Sequence, residues 1–144
     1  MPEKKTIERA KKDKREGKAP STQAGEFVRE EIEHIREGKH GARSTKQAIA
    51  IGLAKARRAG VDLPPSEGSS AETKEQAKRD LRKGKSGKKP SAKRSRATRK
   101  ALKKEGRKAA SKEALSTQAR KAARKRSAAS RSRSAKKAAK TRKK

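Results

Sequence analysis

The chain is predicted to be all-α, with a short helical hairpin, additional short basic helices and a largely disordered cationic C-terminal tail. Three observations carry that prediction. Residues 44–61 are apolar almost all round and are bracketed by helix start and stop signals. Residues 24–35 carry a helical-period apolar stripe that suits covering them. The 144 residues are 44% charged and only 27% hydrophobic, with a net charge of +31, a composition that leaves too little burial to order the whole chain.

The hairpin is the most explicit element. Ser44 and Gln47 have capping-box spacing, so the hydroxyl can accept the N–H three residues on while the Gln side chain reaches back. Gly60 suits a left-handed stop, and Val61 is placed to close over Ala56. Between them lie Ala48, Ile49, Ala50, Ile51, Leu53, Ala54 and Ala56. The partner helix is expected from Ser21 or Thr22 to Glu37, stopped by Gly38. At 100° per residue Ala24, Phe27, Val28, Ile32 and Ile35 share one face, with Glu26, Glu30, Glu33 and Glu37 opposite. The link 38–43 is short enough for antiparallel helices, and Val61, Leu63 and Pro64-Pro65 would seal the open end. The expected core or dimer contact is therefore Phe27, Val28, Ile32, Ile35, Ile49, Ile51, Leu53, Val61 and Leu63. Nine such residues do not offset the ordering of residues 20–65, so other helices, a second copy of the chain or nucleic acid must contribute.

The flanks are poorer in apolar residues. Residues 1–19 read as a basic arm with a helix at Thr6–Glu16, solvated or frayed because Ile7 is its one large apolar residue. Residues 66–84 read as a linker, Ser66–Ala71, and a basic helix, Ala71–Lys83, capped by Ser69 with Glu72 and ended by Gly84. Residues 85–144 form the Lys/Arg/Ala/Ser-rich tail. Within it Ser86–Ser95 reads as linker, Arg96–Glu105 is helix-compatible and stops at Gly106, and Ser111 caps a segment to about Arg126. The expected stop glycines, 17, 38, 60, 84 and 106, recur every 21–24 residues, with R-E-G-K at 15–18 and 36–39. That spacing suggests short basic helices on hinges.

Charge points to the partner. From Arg82 to Lys144 there are 28 basic residues and two acids, a net +26, whereas residues 1–81 carry only +5. Such a tail suits a polyanion. The residues expected to neutralise phosphates are Lys83, Lys85, Lys88 and Lys89; Lys93, Arg94, Arg96, Arg99 and Lys100; and Lys103, Lys104, Arg107 and Lys108. Further along they are Arg120, Lys121, Arg124, Lys125 and Arg126, then Arg131, Arg133, Lys136, Lys137, Lys140, Arg142, Lys143 and Lys144. Phe27 is the one aromatic and is expected inside, so stacking platforms for unpaired bases are missing. Duplex DNA read through its backbone is the expected partner. Removing residues 82–144 is expected to abolish most affinity and leave the hairpin helical. RNA or the ribosome is one alternative, and a disordered stress protein whose hairpin recruits a protein is another.

Enzyme chemistry finds little footing. There is no cysteine, tyrosine or tryptophan, and no phosphate-cradling glycine motif. Of the two histidines, His34 falls near the glutamate face and reads as solvated. No metal or cofactor is expected. The glutamate face could attract the basic tail in competition with DNA. No apolar run approaches membrane-spanning length and no signal-peptide core is evident, so a cytoplasmic, nucleoid location is expected.

Lys46-Gln47-Ala48-Ile49-Ala50-Ile51-Gly52-Leu53 resembles the K-Q-A-I-A-I-[AG]-L element of a group of small, basic bacterial proteins with no assigned activity. The S-T-Q-A-G-E-F-V-R-E-E-I run and the K-R-S-R-A-T-R-K segment resemble the same group. The tail is similar in composition to linker-histone and bacterial histone-like tails, which implies DNA compaction by analogy.

Overall fold

The computed structural model describes residues 2–65 and 68–143, and among them every regular element is helical. In order these are α1 (Lys4–Arg15), α2 (Pro20–Arg36), α3 (Thr45–Arg58), α4 (Ala71–Ser86), α5 (Ala92–Lys103), a 3₁₀ turn (Lys108–Ala110), α6 (Lys112–Lys125) and α7 (Ala128–Arg142). Ser66, Glu67 and Lys144 lie outside the described residues, and with them part of the 66–71 linker and one expected phosphate contact.

α2 and α3 pair as the predicted hairpin, with α1 against α2 and α4 against α3. The start signal of α3 works nearly as read. Ser44 Oγ accepts the Gln47 N–H at 3.1 Å, while Gln47 Oε1 reaches one residue further back, to the Arg43 N–H at 2.6 Å. The stop signal also holds. Gly60 has φ +102°, and the Val61 N–H donates to the Ala56 carbonyl at 3.0 Å, with both side chains buried in one cluster. Ser44→Ala is expected to lower stability by about 1 kcal/mol in urea melts. A loss below a few tenths would show that the cap contributes little.

Two apolar clusters hold the bundle. One gathers Ala10, Ala24, Phe27, Ala56 and Val61, with Ile7, Leu53 and Leu63 against it. The other gathers Ile32, Ile35, Ala42, Ala48, Ala109 and Ala110, with Val28 and Leu115 against it. Of the nine expected core residues, Phe27, Ile32, Ile35 and Val61 are buried. Val28, Leu53 and Leu63 are half-buried, and so are Ile49 and Ile51. The isoleucines yield the innermost positions because α3 buries a stripe of small residues, Thr45, Ala48, Gly52 and Ala56. Small residues let the helix axes approach closely. A Cβ on Gly52 would lie 2.6 Å from the Val28 Cα.

The same economy explains the docking of α1 and α4. α1 buries Thr6, Ala10 and Asp13, so it is a packed helix rather than a frayed arm. α4 buries Ala77 and Asp80, and Asp80 Oδ1 accepts from Arg58 Nε at 2.9 Å. Burial lowers the affinity of the neighbouring Arg57 guanidinium for its proton, opposed by the Asp80 charge. Gly84 does not stop α4. A Cβ there would collide with the Arg57 carbonyl, so this glycine serves the α3–α4 crossing, and Gly87, at φ +66°, is the stop. The cap of α4 is Ser70, whose Oγ accepts the Thr73 N–H at 3.2 Å, one residue later than predicted.

The tail departs most from expectation. Instead of being largely disordered, residues 92–103, 112–125 and 128–142 are helical, each opened by a serine cap: Ser91, Ser111 and Ser127. Alanine, lysine and arginine are strong helix formers, and the serines recur where a new helix starts. The 3₁₀ turn also plugs the hairpin. Thr45 Oγ1 donates to the Ala109 carbonyl at 2.7 Å and Arg36 Nε to the Ala110 carbonyl at 2.9 Å. The Gly41 and Ala42 N–H groups donate to the Leu102 and Gly106 carbonyls. Gly106 keeps a negative φ, so the glycine-stop periodicity holds at 17, 38 and 60 only. Removing residues 82–144 would therefore strip cover from the hairpin, contrary to the expectation that its helicity survives.

Candidate nucleic-acid interface

All the expected phosphate-contacting residues among those described are exposed. Lys83 and Lys85 sit on the last turns of α4, and Lys88 and Lys89 follow it. On α5, Lys93, Arg96, Arg99, Lys100 and Lys103 are linked by spacings of three and four and lie along one side, while Arg94 stands off it. Arg120, Lys121, Arg124 and Lys125 lie on α6. The basic residues from Arg131 to Arg142 lie on α7, a rod about 22 Å long with no buried residue. Among the described residues, no carboxylate pairs with any cation from Arg82 to Lys143; the ion pairs present lie between residues 3 and 80.

Two shallow depressions bring tail cations to the bundle. One, at the N-terminal end of α6, is lined by Arg36, Arg107, Ala110, Ser111 and Lys112. Arg107 reaches it across Gly38, where its guanidinium lies 3.3 Å from the site of a Cβ. A helix N-terminus adds its own partial positive charge. The other is lined by Lys46, Gln118, Lys121, Ala122, Arg124 and Lys125, between the start of α3 and α6. Arg36 and Lys46 were missed by sequence reasoning because they belong to the nearly balanced half. The R-E-G-K stop that places Arg36 at the end of α2 was the available signal.

The glutamates do not meet the tail. Glu26 lies 3.9 Å from Arg9, Glu33 pairs with Arg29 at 3.1 Å and Glu37 with Lys39 at 3.2 Å. Glu30, expected on a solvated face, is buried, and so is Glu31, whose carboxylate pairs with Lys55 and lies 3.1 Å from His40 Nε2. His34, also expected in solvent, is largely covered. Its Nε2 lies 3.0 Å from Glu3 Oε1, a hydrogen bond that chiefly holds the Glu3 carboxyl below its ordinary value. Among the described residues, Glu3, Glu30, Glu31, His34 and His40 stand close enough together that they could hold a metal ion.

No family model, curated protein or solved structure matches this chain. No helix among the described residues is long and apolar enough to cross a membrane. The functional reading therefore rests on the chain's own chemistry.

Proposed function

We propose that this protein binds duplex DNA without sequence preference, as a histone-like, nucleoid-associated protein. The bundle acts as an anchor, and the cations of α5, α6 and α7 neutralise phosphates. The observation that carries the reading is the run of exposed cations from Arg82 to Lys143, none of which pairs with a carboxylate among the described residues, in a segment whose sequence carries a net +26 over 63 residues. Solubility alone needs far less charge than that.

The mode follows from what the exposed helices carry. They offer lysine and arginine between alanine and serine, chemistry suited to phosphate oxygens more than to base edges. Phe27, the one aromatic, is 1% exposed and unavailable for stacking on bases. Base-independent binding of this kind is dominated by counterion release, so affinity should fall steeply with salt. With about ten phosphates neutralised, the log–log slope is expected near −9 in anisotropy titrations of a labelled duplex. Slopes near zero would overturn the proposal, and preference for structured RNA over duplex DNA at matched salt would replace it with an RNA-binding role.

A further inference from the structure

We propose that Glu31, His34 and His40, backed by Glu30 and Glu3, form a binding site for one divalent transition-metal ion, zinc(II) being the best fit. The donors all belong to the half of the chain that carries little net charge, although the connection holding His40 packs against the end of α5, and the site does not depend on nucleic-acid binding.

Local structure brings the donors together. Glu31 and His34 are three residues apart on α2, and Glu30 and His34 four apart, so the three share one side of the helix. Past the left-handed Gly38, at φ +79°, the chain folds back and returns His40 over α2. The two imidazoles meet edge to face with centroids 6.2 Å apart. One ligand atom from each of Glu31, His34 and His40 lies within 4.8 Å of the others, and the same holds for Glu3, Glu30 and His34. His34 belongs to both sets.

The hydrogen-bond inventory singles out the position of a cation. Glu31 is fully buried. Its Oε1 is taken by Lys55 Nζ, whereas its Oε2 lies 3.1 Å from His40 Nε2 and has no hydrogen-bond partner. His40 Nδ1 lies 2.9 Å from the Gly41 carbonyl, an acceptor only, so Nδ1 carries the ring proton. In the neutral ring Nε2 then presents a lone pair to a carboxylate oxygen. Two acceptors facing at that distance repel unless a positive species joins them. A backbone carbonyl on the far nitrogen is also the usual support for a metal-bound histidine. Two ligands about 2.0–2.1 Å from a tetrahedral zinc ion stand roughly 3.3 Å apart, close to the distance observed.

The surroundings agree. Glu30 is 4% exposed, and its Oε1 accepts the Glu3 N–H at 2.7 Å while Oε2 is buried without a partner. Three carboxylates, Glu3, Glu30 and Glu31, are faced by the ammonium groups of Lys39 and Lys55, so a negative charge is left over. An imidazole and carboxylate set without thiolate suits zinc, cobalt or nickel better than magnesium or calcium. Bound there, the ion would tie the N-terminal segment and the 38–44 connection to α2.

The test is cobalt(II) titration of the full chain, made without a histidine tag and stripped by chelator. Expected are d–d bands that saturate at one equivalent, bleaching of the bands by zinc(II), and a rise in Tm with either metal. His40→Asn and His34→Gln, each checked for retained helicity, should weaken binding on the order of 100-fold or more. If His40→Asn does not fold, His34→Gln alone decides. No bands and no zinc-induced rise in Tm would mean that a proton joins Glu31 to His40, and would overturn the proposal. So would bands that persist in folded His34→Gln.

Discussion

Removing residues 127–144 is expected to leave the bundle folded and to weaken duplex binding by up to about 10³-fold at physiological salt. α7 contributes no buried side chain, and Ser127, its cap, starts the segment removed. Eight basic residues leave with it. If half of them contact phosphates, the log–log salt slope should become shallower by about 3.6, at roughly 0.9 per contact. Far-UV circular dichroism should lose only the α7 contribution. A truncated protein with unchanged affinity and slope would show that α7 does not touch the duplex. Neutralising Lys121, Arg124 and Lys125 with glutamine would then locate the contact on α6 instead. Cutting at residue 82 is a different experiment. It takes away Gly84, Ala109, Ala110 and Leu115, all packed against the hairpin helices or their connection, and is expected to unfold them.

Two glycines of the hairpin should respond to alanine with opposite signs. Gly52→Ala is expected to cost about 3 kcal/mol, because the new methyl would stand 2.6 Å from the Val28 Cα and only backbone movement relieves that. The corresponding fall in Tm is roughly 10 °C. Gly25→Ala, in α2, meets nothing within 4 Å and should add about 0.5–1 kcal/mol by removing backbone freedom from the unfolded chain. Thermal and urea melts of both variants decide the matter. A neutral Gly52→Ala would mean that α2 and α3 do not cross at this glycine.

Much of the helical plan was legible locally. The Ser44 cap, the left-handed turns at Gly17, Gly38 and Gly60, the Ser111 cap and the closure of Val61 over Ala56 are short-range chemistry, written within a few residues. What escaped was packing by residues that look unsuited to a core. Thr6 and Asp13 of α1, Asp80 of α4, and Ala109 and Ala110 after α5 carry little hydrophobic signal, yet all are buried. Alanine and glycine bury little area, but they let helices approach closely, and that closeness is not written in hydropathy. Gly84 shows the ambiguity well. In sequence it matches a helix stop; in the fold it is a crossing point inside a helix.

The candidate sites divide along the same line. The all-helical class, the hairpin and the concentration of charge after residue 81 follow from residue order alone. Charge is additive along a chain, and helix signals act over one or two turns. Long-range packing settled that the 3₁₀ turn and α6 close the hairpin, that Arg36 and Lys46 join tail cations around α6, and that Glu31, His34 and His40 face one another. Those outcomes depend on which side chains a close helix crossing leaves without water, and residues far apart in the chain supply the answer.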